Sequence, residues 1–225
     1  MTDEREGIRE SVRTPRAAAV AGIVFAVLLI TSEVLVWRYV PSVASAQAGN
    51  IARHSKELSF AMNLRPFSGI AFLWFVGVVR NHLGELEDRF FATVFLGSGL
   101  LYVAMMFTSG AVAEAVLTLL ATRPDALLSS NSFDLAREEV FRITSIYATK
   151  MAGVFMFSTS TIFMQTRVVP RWIAFLGYGL ALVLLLSAVH LRLLAAVFPL
   201  WVMVISVWIL IHEPNSQQAG TSSQA

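Results

Sequence analysis

The sequence predicts an all-α protein, a polytopic transmembrane helical bundle of about six spans with both termini cytoplasmic. Three observations carry that expectation. Of 225 residues, 56% are hydrophobic and only 14% are charged, more apolar surface than a soluble core of this size can hide. The apolar residues gather into runs close to the length that crosses about 30 Å of hydrocarbon. Between the runs lie short arginine-bearing connections of the kind that orient a chain in a membrane.

Composition also narrows the chemistry. The chain holds no cysteine, which excludes disulfides, thiolate catalysis, iron–sulfur clusters and cysteine zinc sites. A net charge of only +2, with the cations spread along the chain, leaves no electrostatic footprint for nucleic acid.

Residues 1–16 alternate Asp3, Glu4, Glu6 and Glu10 with Arg5, Arg9, Arg13 and Arg16 and read as a polar cytoplasmic tail. The first span, near 17–38, is almost wholly apolar from Ala17 to Trp37, about 31 Å of helix. Its Ala18, Gly22 and Ala26 repeat on one face and invite close helix contact. An arginine-bearing head, this run and Ala44-Ser45-Ala46 resemble the parts of a signal peptide. The run is too long for one, contains Glu33 and is followed by Arg38, so the span is expected to be retained. A polar, alanine-rich segment from Pro41 to about Glu57 leads to a second span near 58–79, which reaches crossing length only with Asn63 and Arg65 inside it.

Arg80 to Arg89 is a charged loop. The third span, near 90–110, carries Gly97 and Gly99 for packing and is softly broken at Thr108-Ser109-Gly110 before an apolar stretch that Arg123-Pro124 ends. Asn131, with Asp134 three residues on, signals a capped helix start. From Asn131 to Gln165 is about 52 Å of helix, so its first turns stand outside the hydrocarbon and the fourth span lies near 145–166. Arg167, Pro170 and Arg171 form a basic turn, followed by spans near 172–189 and 193–211, the last bent at Pro199. Residues 213–225 read as a disordered cytoplasmic tail. The spans form one domain, 17–212. The cations crowd span ends in the N-terminal tail and two short turns, which places those segments and both termini inside.

Helical rise then sets a depth for each ionisable group. Glu33 lies about 25 Å beyond Arg16, Asn63 and Arg65 about 25 and 22 Å from Arg80, and Lys150 about 25 Å from Arg167. By the same count His190 and Arg192 lie near this layer, and Glu114 falls outside the membrane. Two readings of the layer stand. Cations near the far boundary can snorkel to headgroups, or Glu33 neutralises Arg65 or Lys150 in a polar pocket open to the outer leaflet, because a glutamate is too short to snorkel far. Glu33, Asn63, Arg65 and Lys150 are therefore the candidate site residues.

Other motifs point to no chemistry. His54, His82, His190 and His212 lack metal-ligand spacing, and neither a metal nor a cofactor is expected. Ser158-Thr159-Ser160-Thr161 suits hydrogen bonds back to carbonyls, and the methionines from Met105 to Met164 suit packing. The stretch RNHLGELEDRFFATVFLGSGLLYVAMMF resembles small uncharacterised bacterial six-span membrane proteins. That resemblance implies a bacterial inner-membrane location and brings no activity or site residues with it. Two functions follow from the sequence: a non-enzymatic partner or assembly component, favoured by the small-residue faces, or a small-solute or lipid transporter or receptor using the polar layer. An enzyme ranks third. The expected partners are the lipid bilayer and other membrane proteins or a second copy of the chain.

Overall fold

The computed structural model describes residues 2–40, 47–83, 89–128, 131–166, 169–187 and 193–212. Among the described residues the chain is helical almost throughout and contains no strand. Four helices are long and apolar enough to cross a membrane: the Arg16–Tyr39 part of α1 (Thr2–Tyr39), the Ser55–Arg80 part of α3 (Ser55–Leu83), the Phe90–Thr122 part of α4 (Arg89–Thr122), and α9 (Leu194–His212).

Two further helices complete the bundle. α7 (Thr149–Thr166) is less apolar because Lys150, the Ser158–Thr161 run and Gln165 interrupt it. It can carry those groups because ten of its 18 residues are buried against its neighbours. α8 (Arg171–Leu186) is apolar but shorter, at 16 residues. α1 packs along α3 and α9, while α7 packs on α8 and α4.

At the centre, aromatic rings arrive from five helices. Phe25 lies 4.7 Å from Phe72, Phe72 lies 5.1 Å from Phe155, and Tyr102 lies 4.6 Å from Phe198, measured between ring centroids. Tilted and edge-on pairs of this kind add about 0.5–1.5 kcal/mol each beyond the area they bury. They tie α1, α3, α4, α7 and α9 to a single centre.

Close approach of the helices depends on small residues. Gly22 on α1 faces Ser206 on α9, whose Oγ would clash with a Cβ at position 22. Gly177 on α8 stands in the same relation to the Oγ of Ser160 on α7. The face Ala18, Gly22 and Ala26 is thus buried inside the chain itself.

Several sequence expectations are corrected. Residues 2–16, the polar stretch ahead of the first span, are helical in backbone and continuous with the rest of α1. The polar segment before Glu57 folds into α2 (Gln47–Arg53), where the Asn50 side chain donates to the Tyr39 carbonyl at 2.6 Å and closes the end of α1. α4 runs unbroken through Thr108-Ser109-Gly110 to Thr122, because Thr108 and Ser109 return their hydroxyls to their own helix and no proline intervenes before Pro124. After the short α5 (Pro124–Leu128), α6 (Ser132–Arg142) begins without the expected cap. The Asn131 side chain makes no capping bond, and Asp134 pairs instead with Arg137 at 3.8 Å. From α6 to α7 the chain stays helical, but Ile143–Ala148 between them is wound as a π-helix. The signal-like Ala44-Ser45-Ala46, residues 84–88, Arg167, His190, Arg192 and the tail 213–225 lie outside the described residues.

Candidate functional site

α1 and α3 bring Glu33 and Arg65 together. Arg65 Nη2 donates to Glu33 Oε1 at 3.1 Å, and the two residues are only 4% and 7% exposed. Taking two charges out of solvent costs several kcal/mol per ion, so such a pair survives only where other polar groups complete it. Here two serines do so. Arg65 Nη1 donates to Ser109 Oγ on α4 at 3.2 Å, and its Nε donates to Ser32 Oγ on α1 at 3.4 Å.

Those hydroxyls are oriented by their other bonds. Ser32 donates to the Ala61 carbonyl at 2.8 Å and Ser109 to the Met106 carbonyl at 3.0 Å, so each turns oxygen lone pairs toward the guanidinium. Gly110 lies against Arg65, whose Cδ would be at ordinary contact distance, 3.6 Å, from a Cβ there. Pro66, next in the chain, has no N–H to give the Met62 carbonyl, so the ladder of α3 is already interrupted beside the pair. A guanidinium has five N–H donors. Three are used in these bonds, and two have no partner among the described residues.

The pair lines a cleft of about 30 Å³, room for about two water-sized atoms. Its polar wall is Glu33, Arg65, Tyr102, Ser109, Thr144 and Thr149, and its floor is the apolar surface over Phe198 and Leu184. Thr144 comes from the π-helical segment. Its Oγ1 is buried without a hydrogen-bond partner among the described residues, while its carbonyl accepts from Thr149 Oγ1 at 3.1 Å, five residues on. Single π turns inside α-helices recur at functional sites because the extra residue re-aims the side chains around it.

The other two candidates lie elsewhere. Lys150 neither snorkels nor pairs with Glu33. Its Nζ donates to the carbonyls of Leu184, Leu185 and Ser187 at 3.0, 2.7 and 2.9 Å. An ammonium has three donors, and all three close the C-terminus of α8, where the helix dipole favours a cation. Asn63 is exposed and bonds to the Ser59 carbonyl at 2.9 Å. Ser59 in turn donates to Glu114 Oε1 at 2.7 Å, which ties the half-buried Glu114 on α4 to α3.

Ser32, Tyr102, Ser109 and Thr144 were not singled out from the sequence. One signal could have found Ser109: a buried guanidinium demands oxygen acceptors, and the Thr108-Ser109 pair supplies hydroxyls on a facing span. Among the described residues no three His, Asp or Glu side chains converge to hold a metal ion. Comparison with protein-family models, curated proteins and solved structures gives no match.

Proposed function

We propose that this chain is a six-span protein of the bacterial inner membrane, with both termini cytoplasmic, that binds a small solute or a lipid group in the Glu33–Arg65 cleft as a receptor or transporter. The observation that carries this reading is the unspent hydrogen-bonding capacity of Arg65 at a cavity. Each Arg65 nitrogen has one partner, two N–H groups have none among the described residues, and the residue lines a cavity that fits other atoms. In the six-span arrangement α7 crosses at the bundle centre, shielded from lipid by its neighbours, and α8 crosses beside it.

The test is to fill the cleft. Ala148 lines it and is 4% exposed, so Ala148→Leu occupies the space without touching a charge. In detergent, a panel of small acids, amines, polyols and lipids should include compounds that raise the melting temperature of the parent and not of Ala148→Leu. Equal shifts in both proteins, or no shift in either, would sink the reading. Orientation is testable separately, since single cysteines at Ser45 and Ser216 are introduced into a cysteine-free chain. Labelling of Ser216→Cys and not Ser45→Cys by an impermeant reagent on intact cells would reverse the topology.

A second reading, a non-enzymatic partner or assembly component, draws on Gly77 and Gly179, exposed glycines with open space where a Cβ would stand. The Gly22 face is used within the chain, and Gly97 on α4 also has open space where a Cβ would stand. Co-purification of a stoichiometric partner from native membranes, abolished by Gly77→Leu or Gly179→Leu, would support this second reading.

A further inference from the structure

We infer that the cleft is a carboxylate site. Arg65, with the hydroxyls of Thr144 and Tyr102 beside it, takes the carboxylate of an organic acid in place of Glu33. The inference rests on the cleft being a ligand site and adds the chemistry of the ligand.

Four donors stand unspent there, beside one carboxylate oxygen, Glu33 Oε2, that takes no hydrogen bond among the described residues. Arg65 holds Glu33 through a single 3.1 Å contact and not a two-pronged fork, and keeps two N–H groups without a partner among the described residues. Thr144 adds a buried hydroxyl that has no partner among them, and Tyr102 adds a phenol. The Ser32 and Ser109 hydrogens are already given to carbonyls. A carboxylate is an acceptor only, and its two oxygens match guanidinium geometry. They also match a cavity with room for about two water-sized atoms.

The lining decides against other anions. Lys150 has given all its donors to α8, so Arg65 is the one cation lining the cleft among the described residues, and a doubly charged phosphate would go largely uncompensated. The cavity has room for the carboxylate oxygens alone, so an alkyl group has to leave it past the apolar residues that also line it, Leu29, Met106, Leu184, Leu194 and Phe198. The acid can be a short one from water or a long-chain one dissolved in the bilayer, and both present the same headgroup.

Charge balance adds a requirement. The groups lining the cleft with Glu33 are Arg65 from α3, Tyr102 from α4, the Thr144 and Thr149 hydroxyls from the π segment and α7, and apolar side chains from α8 and α9. Two carboxylates sharing one guanidinium cannot both stay ionised cheaply. The ligand therefore enters with one proton. No covalent bond forms or breaks.

The full chain in nanodiscs of uncharged lipid would be titrated calorimetrically with butyrate and laurate, with their amides and inorganic phosphate as controls. The parent should bind a carboxylate and neither amide nor phosphate, taking up about one proton per ligand when two buffers of different ionisation enthalpy are compared. Glu33→Gln removes the competitor and should tighten binding about tenfold, with the proton uptake lost; Arg65→Gln should weaken it roughly a hundredfold. Binding of butyrate identifies a soluble acid and binding of laurate alone a bilayer acid; each supports the site. Equal weakening by Glu33→Gln and Arg65→Gln would make the pair mere scaffolding and overturn it, as would amides binding as well as acids. Should Arg65→Gln fail to fold, Thr144→Val leaves the ion pair intact. It should weaken binding about tenfold, and parent-like affinity would overturn the inference. If no acid binds while another solute stabilises the parent and not Ala148→Leu, the carboxylate assignment falls and the cleft stands; if nothing separates those two proteins, both fall.

Discussion

Arg65 and Lys150 are two cations that helical rise sets at nearly the same depth, and the bundle disposes of them in opposite ways. Lys150 is saturated. Three carbonyls at the end of α8 take its three protons, and no acid is needed. Arg65 is under-used. It holds one carboxylate and two hydroxyls, and it borders a cavity. A buried charge spent entirely on backbone ends serves the fold, because nothing remains for a ligand. A buried charge with donors in reserve can serve both.

The largest expected effect separates the two directly. Glu33→Gln or Arg65→Gln strands a charge in a site under 10% exposed, which costs about 3–5 kcal/mol. The double variant should cost clearly less than the two singles together, since it strands nothing. Denaturant unfolding in detergent measures all three. Additive losses would mean that the pair is not coupled, and the contrast with Lys150 would collapse.

Lys150→Met should come next. It deletes hydrogen bonds from a charged donor to three carbonyls, worth about 1.5–3 kcal/mol, without stranding an opposite charge. The loss should appear as early fraying of the α8 terminus, read as faster amide exchange at residues 185–187 with the rest of the bundle unchanged. A global loss as large as that of Arg65→Gln would show that Lys150 also neutralises an acid.

How much of this was legible beforehand follows from what a helix fixes. Rise per residue is nearly constant, so the shared depth of Glu33, Arg65 and Lys150 could be computed from the sequence. Azimuth was also partly available. Asn63 and Arg65 are two residues apart, about 200° around the helix, so both cannot face one cleft, and Asn63 does lie on the outside. Glu33 follows Gly22, Ala26 and Leu29 down one face that the structure buries. What could not be read was set by other helices. The role of Lys150 depends on α8 ending at Leu186, inside an apolar run that carries no stop signal. The π turn at ITSIYA has neither proline nor glycine to announce it, so the placing of Thr144 was hidden. Ser109 was in view but was taken for a helix break, because its use becomes clear only once Arg65 is known to need acceptors.

Half-buried Glu114 tests whether every acid bonded between the helices behaves like Glu33. Its Oε1 accepts from Ser59 at 2.7 Å, while its Oε2 is buried without a hydrogen-bond partner among the described residues. Glu114→Gln keeps an acceptor for Ser59 and strands no described cation, so it should change stability by less than about 1 kcal/mol. A loss matching that of Glu33→Gln would place a cation against Glu114 and make it a second ion-paired site.

The smallest expected effect is the most telling for function. The Thr144 hydroxyl is buried beside Arg65 with no partner among the described residues, and an unsatisfied buried hydroxyl costs about 1–3 kcal/mol. Thr144→Val removes that hydroxyl and nearly keeps the shape, so the ligand-free protein should be unchanged or up to about 1 kcal/mol more stable. A threonine that served the fold would behave in the opposite way, since its loss would break a bond. The measurement is the unfolding free energy of the parent and of Thr144→Val, each purified without added acid. Destabilisation beyond about 1 kcal/mol would show that the hydroxyl already has a structural partner. It would then no longer be a donor held in reserve, and the contrast between a saturated lysine and an unsaturated arginine site would rest on Arg65 alone.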